Sequence, residues 1–372
     1  MATCIKSALI VFAFLWMASI GMAVQPTHRQ AISNPISAGI GQPAEAKELF
    51  GSDELLEFTL HANMKTLLKD RDDERNYHPA TIHYRSNAGE AITVALKVRV
   101  RGKHRRDPSV CDFPPLLLNF PKTKVMHTVF AGANKVKLVT HCNSEKYVIR
   151  EYLVYKLYNM LSDYSFRVRL CKVMYQDSEG RKSDEHMYAF LIEDEDDLAE
   201  RSKGVILADE LVIRMDATDD RAMAKLALFQ YMIGNTDWSV PFRHNIRLLY
   251  LHTGSRPVPI PYDFDYTGIV MPPYAKPPPE IGITSVRQRL FRGYTFPDAV
   301  YQELVPYFNN RKTAIYAVYL ECELLDRKYR KRTLKFLDEF YETINDPKDF
   351  ERKIVRMGGQ NEKRSVIIKG LD

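Results

Sequence analysis

The chain has 372 residues, 45% of them hydrophobic and 27% charged, a composition that excludes disordered, fibrous and low-complexity classes. At roughly 100 to 200 residues per domain, this length predicts one large bilobal unit or two domains with a sizeable core, and excludes small disulfide scaffolds. The 53 Lys+Arg and 47 Asp+Glu residues are interspersed and leave a formal charge of only +6, so no nucleic-acid partner is expected.

Residues 1–23 read as a cleaved secretory signal. Lys6 supplies a positive start, Ala8 to Gly21 is an uncharged apolar run, and Gly21-Met22-Ala23 places small residues around a cleavage point. The run is shorter than the ~20 residues of a spanning helix, and no second such run follows. The expectation is a secreted or periplasmic protein without stable membrane insertion. Export permits disulfides. Cys111 and Cys142 flank a segment of alternating apolar residues, which suggests a bridge between them; the other reading is free buried thiols. The cysteine spacings are too wide for a CxxC zinc site.

Residues 24–50 lack periodicity and read as a linker. Period-2 alternation then marks strands around Thr81–Tyr84 and Ile92–Val100, and shorter apolar strands at Leu116–Phe120 and Lys135–Val139. Ile149, Leu153, Leu157 and Met160 recur at helical spacing between Tyr147 and Leu161. Two further strands, Phe166–Tyr175 and His186–Ile192, are joined by the polar turn Gln176–Gly180. Glu193–Asp197 reads as a solvated acidic hinge. Beyond it lie a helix over Met223–Ile233 that stops at Gly234-Asn235, a short strand at Val258–Ile260, the Pro-rich loop 271–279, and further helices. The predicted fold class is α+β, with a β-rich N-terminal lobe over 51–194 and an α-rich C-terminal lobe over 195–372.

One constellation stands out: Gly234-Asn235-Thr236-Asp237-Trp238, then Arg243-His244-Asn245, then Tyr262-Asp263-Phe264-Asp265-Tyr266-Thr267-Gly268. Asp and Asn are ordinary turn formers. Gathered on loops at strand ends, however, carboxylate and amide oxygens are what Mg²⁺ or Mn²⁺ with a phosphorylated ligand requires.

This order of motifs resembles atypical kinase-fold families, notably the spore coat protein H kinases and more distantly the HipA-like kinases, over about residues 80 to 270. The resemblance implies a bilobal protein-kinase-like fold that binds ATP with Mg²⁺ or Mn²⁺. It assigns Asp237 as the catalytic Asp that orients an acceptor hydroxyl, Asn245 and Asp263 as metal ligands, and Asp265 as the alternative or helper to Asp263. A strand Lys paired with a helix Glu is also implied, with Lys137 (or Lys135, on the same strand face) bridging phosphates and Glu151 holding it. There is no GxGxxG loop; the basic turn from Arg101 to Arg106 resembles the Arg-Gly segment of the spore coat family, and places Arg101 and Arg105 on phosphate. Glu193 and its acidic neighbours fall where a kinase hinge meets adenine.

The resulting expectation is an exported phosphotransferase acting on a protein or glycan hydroxyl. The alternatives are a catalytically silent binding or assembly module of the cell envelope and, third, a metal-dependent phosphoesterase. The basic run Lys328–Arg332 reads as a solvated helix face, and His141 as structural.

Overall fold

A computed structural model describes residues 48–121 and 125–363. The expected signal segment 1–23 lies outside the described residues, as does the linker up to residue 47. Its last residues, Glu48–Phe50, form a 3-10 turn whose Leu49 is buried in the core.

The alternating stretches form strands because each buries one side chain in two. β1 (Leu56–Ala62), β2 (His78–Arg85), β3 (Ala91–Val100), β4 (Leu116–Asn119), β5 (Lys135–Val139), β6 (Val168–Asp177) and β7 (Glu185–Ile192) close into a barrel in the order β1-β2-β3-β4-β5-β7-β6. Six of the seven pairings are antiparallel; β1 and β6 run parallel, from Leu56↔Cys171 to Ala62↔Asp177, and shut the barrel. Phe58, Leu60, Ile82, Val98, Leu116, Val136, Leu138, Val173 and Leu191 fill its interior. A short helix, α1 (Met64–Lys69), follows β1; it escaped the periodicity reading because it spans under two turns.

The outward residues Val139, Val168, Phe190 and Ile192 share a second apolar cluster with helix α2 (Glu145–Leu161). The same cluster runs on through α3 (Glu195–Arg201), α4 (Asp220–Ile233), α5 (Asp298–Leu320) and α6 (Arg327–Asn345). A three-stranded sheet, β10-β9-β8, lies among these elements, built from β8 (Val205–Ile206), β9 (Ile246–Tyr250) and β10 (Val258–Pro261). Two short helices, α7 (Pro347–Phe350) and α8 (Arg356–Lys363), end the described chain.

This architecture corrects the expected bilobal kinase-like fold with a β-rich N-terminal and an α-rich C-terminal lobe. The strands form a closed mixed barrel, and one continuous core joins the outer barrel wall to the helices, so that the described residues belong to a single compact unit. Alternation in a sequence reports which face of a strand is buried, not which strand lies beside it; the parallel β1/β6 pairing that closes the barrel leaves no trace in it. A second correction concerns the acidic hinge. Glu193 is 3% exposed and bound by Arg201 at 2.8 Å, while Asp194 caps α3 through the N–H of Asp196. Among the described residues no helix is long and apolar enough to cross a membrane. Cys111 and Cys142 are disulfide-bonded with Cα atoms 4.9 Å apart, and Cys171 and Cys322 are free.

Candidate functional site

Local geometry explains why the constellation assembles. α4 ends at Gly234, whose φ of 67° forms a left-handed cap. Gly268 donates its N–H to the Gly234 carbonyl at 3.0 Å, and Ile269 donates to Ile233 at 3.1 Å. A Cβ on Gly268 would stand 2.3 Å from the Val286 carbonyl oxygen, and one on Gly234 2.9 Å from the Phe336 ring. The two motif glycines thus permit a backbone approach that ties Asn235-Thr236-Asp237 to the loop after β10. The β9/β10 register pairs Ile246 with Pro261, and the Tyr262 N–H reaches the Asn245 carbonyl at 3.0 Å, so Asn245 and Asp263 lie side by side. Phe264, fully buried against Tyr155 and Phe229, pins the loop between its two acids.

Arg105 stands at the centre. It lies on a 3-10 turn, His104–Arg106, after β3, and is 8% exposed. Its guanidinium donates to Glu151 at 3.1 Å and Asp263 at 2.9 Å, and lies 3.4 Å from Asp265. Burial works against this charge, but Asp265, Glu151 and Asp263 together hold its pKa well above the ordinary value. One cation cannot satisfy three anions, and the carboxyls divide accordingly. Burial pushes Glu151 up to about 7 against the pull of Arg105. Burial also raises Asp265 well above the carboxylate range, with repulsion from Asp263 and Glu151 adding to it and the Tyr274 hydroxyl donating to it at 2.9 Å. Asp263 ionises most readily: burial opposes it, but Arg105, Arg101 and a hydrogen bond from Asp265 hold it below the ordinary value. Its side chain is 41% exposed, its backbone is left-handed at φ 59°, and its N–H donates to the Tyr155 hydroxyl at 2.9 Å.

Asp237 forms a second group beside the first. Its Oδ1 lies 2.8 Å from His244 Nε2, and Asn245 Nδ2 donates to the Asp237 carbonyl at 2.9 Å and to Oδ2 at 3.1 Å. Its own N–H is capped by Asn235 Oδ1 at 2.9 Å. Partly buried Arg292, its pKa depressed to about 10 by burial against the pull of Asp237, donates to the Thr236 carbonyl.

Arg101, Arg105, Lys137, Glu151 and Asp263 line one cavity with the apolar walls Val139, Phe166 and Ile192 and the phenols Tyr155 and Tyr262. Lys135 is exposed, whereas Lys137, on the same strand face, enters the cavity and sits 5.6 Å over the Phe166 ring. Burial and repulsion from Arg101 depress its pKa to about 8, against the attraction of Glu195 and Asp194. The expected Lys137–Glu151 ion pair is absent among the described residues; Arg105 takes Glu151 instead. Among the described residues no group of three or more His, Cys, Asp or Glu is arranged to hold a metal ion.

Sequence reasoning found Asp237, Asp263, Asp265, Glu151, Lys137, Arg101 and Arg105 but missed Arg292 and the groups that tether the acids. His244 is adjacent to Asn245 yet carried no assigned role, and Tyr274 lies in the Pro-rich segment read only as a loop. His141 packs on Phe113 and Tyr175, with its Nε2 3.3 Å from Glu185. No protein-family model matches this chain, and no curated protein matches it.

Proposed function

We propose that this cavity binds the phosphates of ATP with Mg²⁺ or Mn²⁺ and transfers a phosphoryl group to a protein or glycan hydroxyl, in a protein exported from the cytoplasm. The observation that supports this reading is the convergence of Arg101, Arg105, Lys137, Glu151 and Asp263 on one cavity, with Asp237 and Asn245 held against the same loop. Phosphoryl transfer asks of a protein mainly positioning and neutralisation of spreading negative charge, and three cations lining one cavity suit that demand. Asp237, fixed by His244 and Asn245, orients the acceptor hydroxyl. The half-exposed Asp263 carboxylate and the Asn245 amide oxygen are hard donors of the kind Mg²⁺ accepts. Two protein ligands are enough where phosphate and water complete the shell.

The test is thermal unfolding of the chain from Val24 onward with ATP plus Mg²⁺ or Mn²⁺, beside Asp263→Ala, followed by phosphate transfer to mixed protein and glycan acceptors with Asp237→Ala as control. A ligand at ~100 times its dissociation constant adds about 2.7 kcal/mol to the folded state. No shift with any nucleotide and metal sinks the reading. The catalytically silent envelope module then takes its place, a reading favoured by one observation: Arg105 already pairs with Glu151, Asp263 and Asp265.

A further inference from the structure

We propose that Arg105 is a resident counter-ion that stands where the metal must go, so that divalent metal and polyphosphate enter this site only as a cooperative pair. The inference rests on the nucleotide reading above and adds to it an order of events.

The geometry sets the two cations in competition for the same carboxylates. Arg105 Nη2 is 2.9 Å from Asp263 Oδ1, Nη1 is 3.1 Å from Glu151 Oε2, and Nε is 3.4 Å from Asp265 Oδ2. A divalent ion on Asp263 would need oxygen contacts of about 2.0–2.6 Å at the same carboxylate, placing its charge against the guanidinium. Glu151 marks the arrangement as built for more than Arg105. Its Oε1 is buried with no hydrogen-bond partner, although the residue is only 2% exposed and lines cavities on both of its sides. A buried carboxylate oxygen without a donor is costly unless a ligand supplies one.

Phosphate is the natural exchange partner. A guanidinium binds phosphate through two parallel N–H donors at least as well as it binds carboxylate, and Arg101 and Lys137 face the same cavity. When Arg105 turns onto phosphate, the acids are released to the metal, and the metal in turn keeps Arg105 from returning. The motion falls to the side chain. The segment after the turn is stapled by the Cys111–Cys142 disulfide and by Arg71, which donates to the carbonyls of Arg106, Cys111 and Asp112.

The experiment is a titration of Mn²⁺ into metal-free full-length protein, followed by the paramagnetic signal of free Mn²⁺, with and without ATP, for the parent, Arg105→Gln and Arg105→Lys. The parent should bind Mn²⁺ at least tenfold more tightly with ATP present, and ATP correspondingly more tightly with Mn²⁺, because coupling between sites is reciprocal. Arg105→Gln should bind Mn²⁺ alone at least tenfold more tightly than the parent, while Arg105→Lys, which keeps the cation, should resemble the parent. If Arg105→Gln is poorly folded, a larger rise of its unfolding midpoint with Mn²⁺ than the parent shows reads the same effect. Equal Mn²⁺ affinity in the parent and Arg105→Gln overturns the proposal, as does a parent whose Mn²⁺ affinity is indifferent to an ATP that it does bind. ATP without effect on any of the three proteins overturns the nucleotide reading and the cooperative pair with it; a gain of Mn²⁺ affinity in Arg105→Gln would then support Arg105 as counter-ion alone.

Discussion

Replacing Cys111 and Cys142 together by Ala should cost about 3.7 kcal/mol of stability. The bond closes a loop of 31 residues in sequence. In the chain-entropy treatment such a closure removes about 12 cal/mol/K from the unfolded ensemble, or ~3.7 kcal/mol at 25 °C. Against the 5–15 kcal/mol typical of a folded domain, that is a quarter or more of the total. The folded state should tolerate the change, because the junction has its own polar contacts. Asn143 Nδ2 donates to the Val110 carbonyl at 2.7 Å, the Asp112 N–H to Asn143 Oδ1 at 2.8 Å, and Thr140 Oγ1 to the Phe113 carbonyl at 2.7 Å. The loss should therefore arise in the unfolded chain. Urea unfolding followed by fluorescence of buried Trp238 and by far-ultraviolet circular dichroism should show a lower midpoint with a steeper dependence on urea, as a freer unfolded chain exposes more surface. The parent protein under a strong thiol reductant should match the variant. A loss below about 1 kcal/mol, or an unchanged slope, would refute the reasoning, since it would mean that the unfolded chain is already held together near this junction.

What could be read from the sequence follows from the range of each interaction. The helix over Tyr147–Leu161 and the one ending at Gly234 are local: their apolar residues repeat every three or four positions, and Gly234 stops α4 in the left-handed conformation that glycine accepts. Barrel strands β2 to β7 were legible for the same reason, to within two residues at β6 and β7, whereas β8 and β9 were not placed. Barrel closure was not, because β1 and β6 are more than a hundred residues apart and pair through backbone groups that every residue carries. The site divides along the same line. Asp237, Asn245, Asp263 and Asp265 stood out through residue type and spacing, whereas the choice of Arg105 over Lys137 as the partner of Glu151 depends on where the turn after β3 sits against α2. The acidic run misled because composition suggests solvation, while Arg201, eight residues on, buries Glu193. Gly268 looked like the end of a motif; its cause is the Val286 carbonyl that a side chain would strike.

Three further outcomes are expected. Gly268→Ala forces a backbone shift and should cost about 3 kcal/mol, the upper part of the range for overpacking, whereas Gly89→Ala, with open space around its Cβ and a φ of 83°, should cost only the left-handed penalty of about 1–2 kcal/mol; comparing the two by thermal unfolding separates close approach from conformation. Arg201→Met leaves Glu193 buried without its cation and should cost about 3–5 kcal/mol, with Glu193→Gln/Arg201→Met recovering part of it in a double-mutant cycle. The third is a pH dependence centred on Glu151. Its carboxyl is raised from 4.5 to about 7, so its contribution to stability is complete below pH 4.5 and is lost as pH rises through 7. Gln at this position stays neutral throughout. Relative to the parent, Glu151→Gln should therefore gain stability from pH 4.5 to pH 8.5, by about 3 kcal/mol at 1.36 kcal/mol per unit. Urea midpoints of both proteins across that range measure the difference. The sign decides between two physical accounts. If burial and the competing acids govern Glu151, the variant gains as described; if Arg105 holds Glu151 ionised, the variant loses ground as pH rises, and the division of one guanidinium among three carboxyls must be drawn differently.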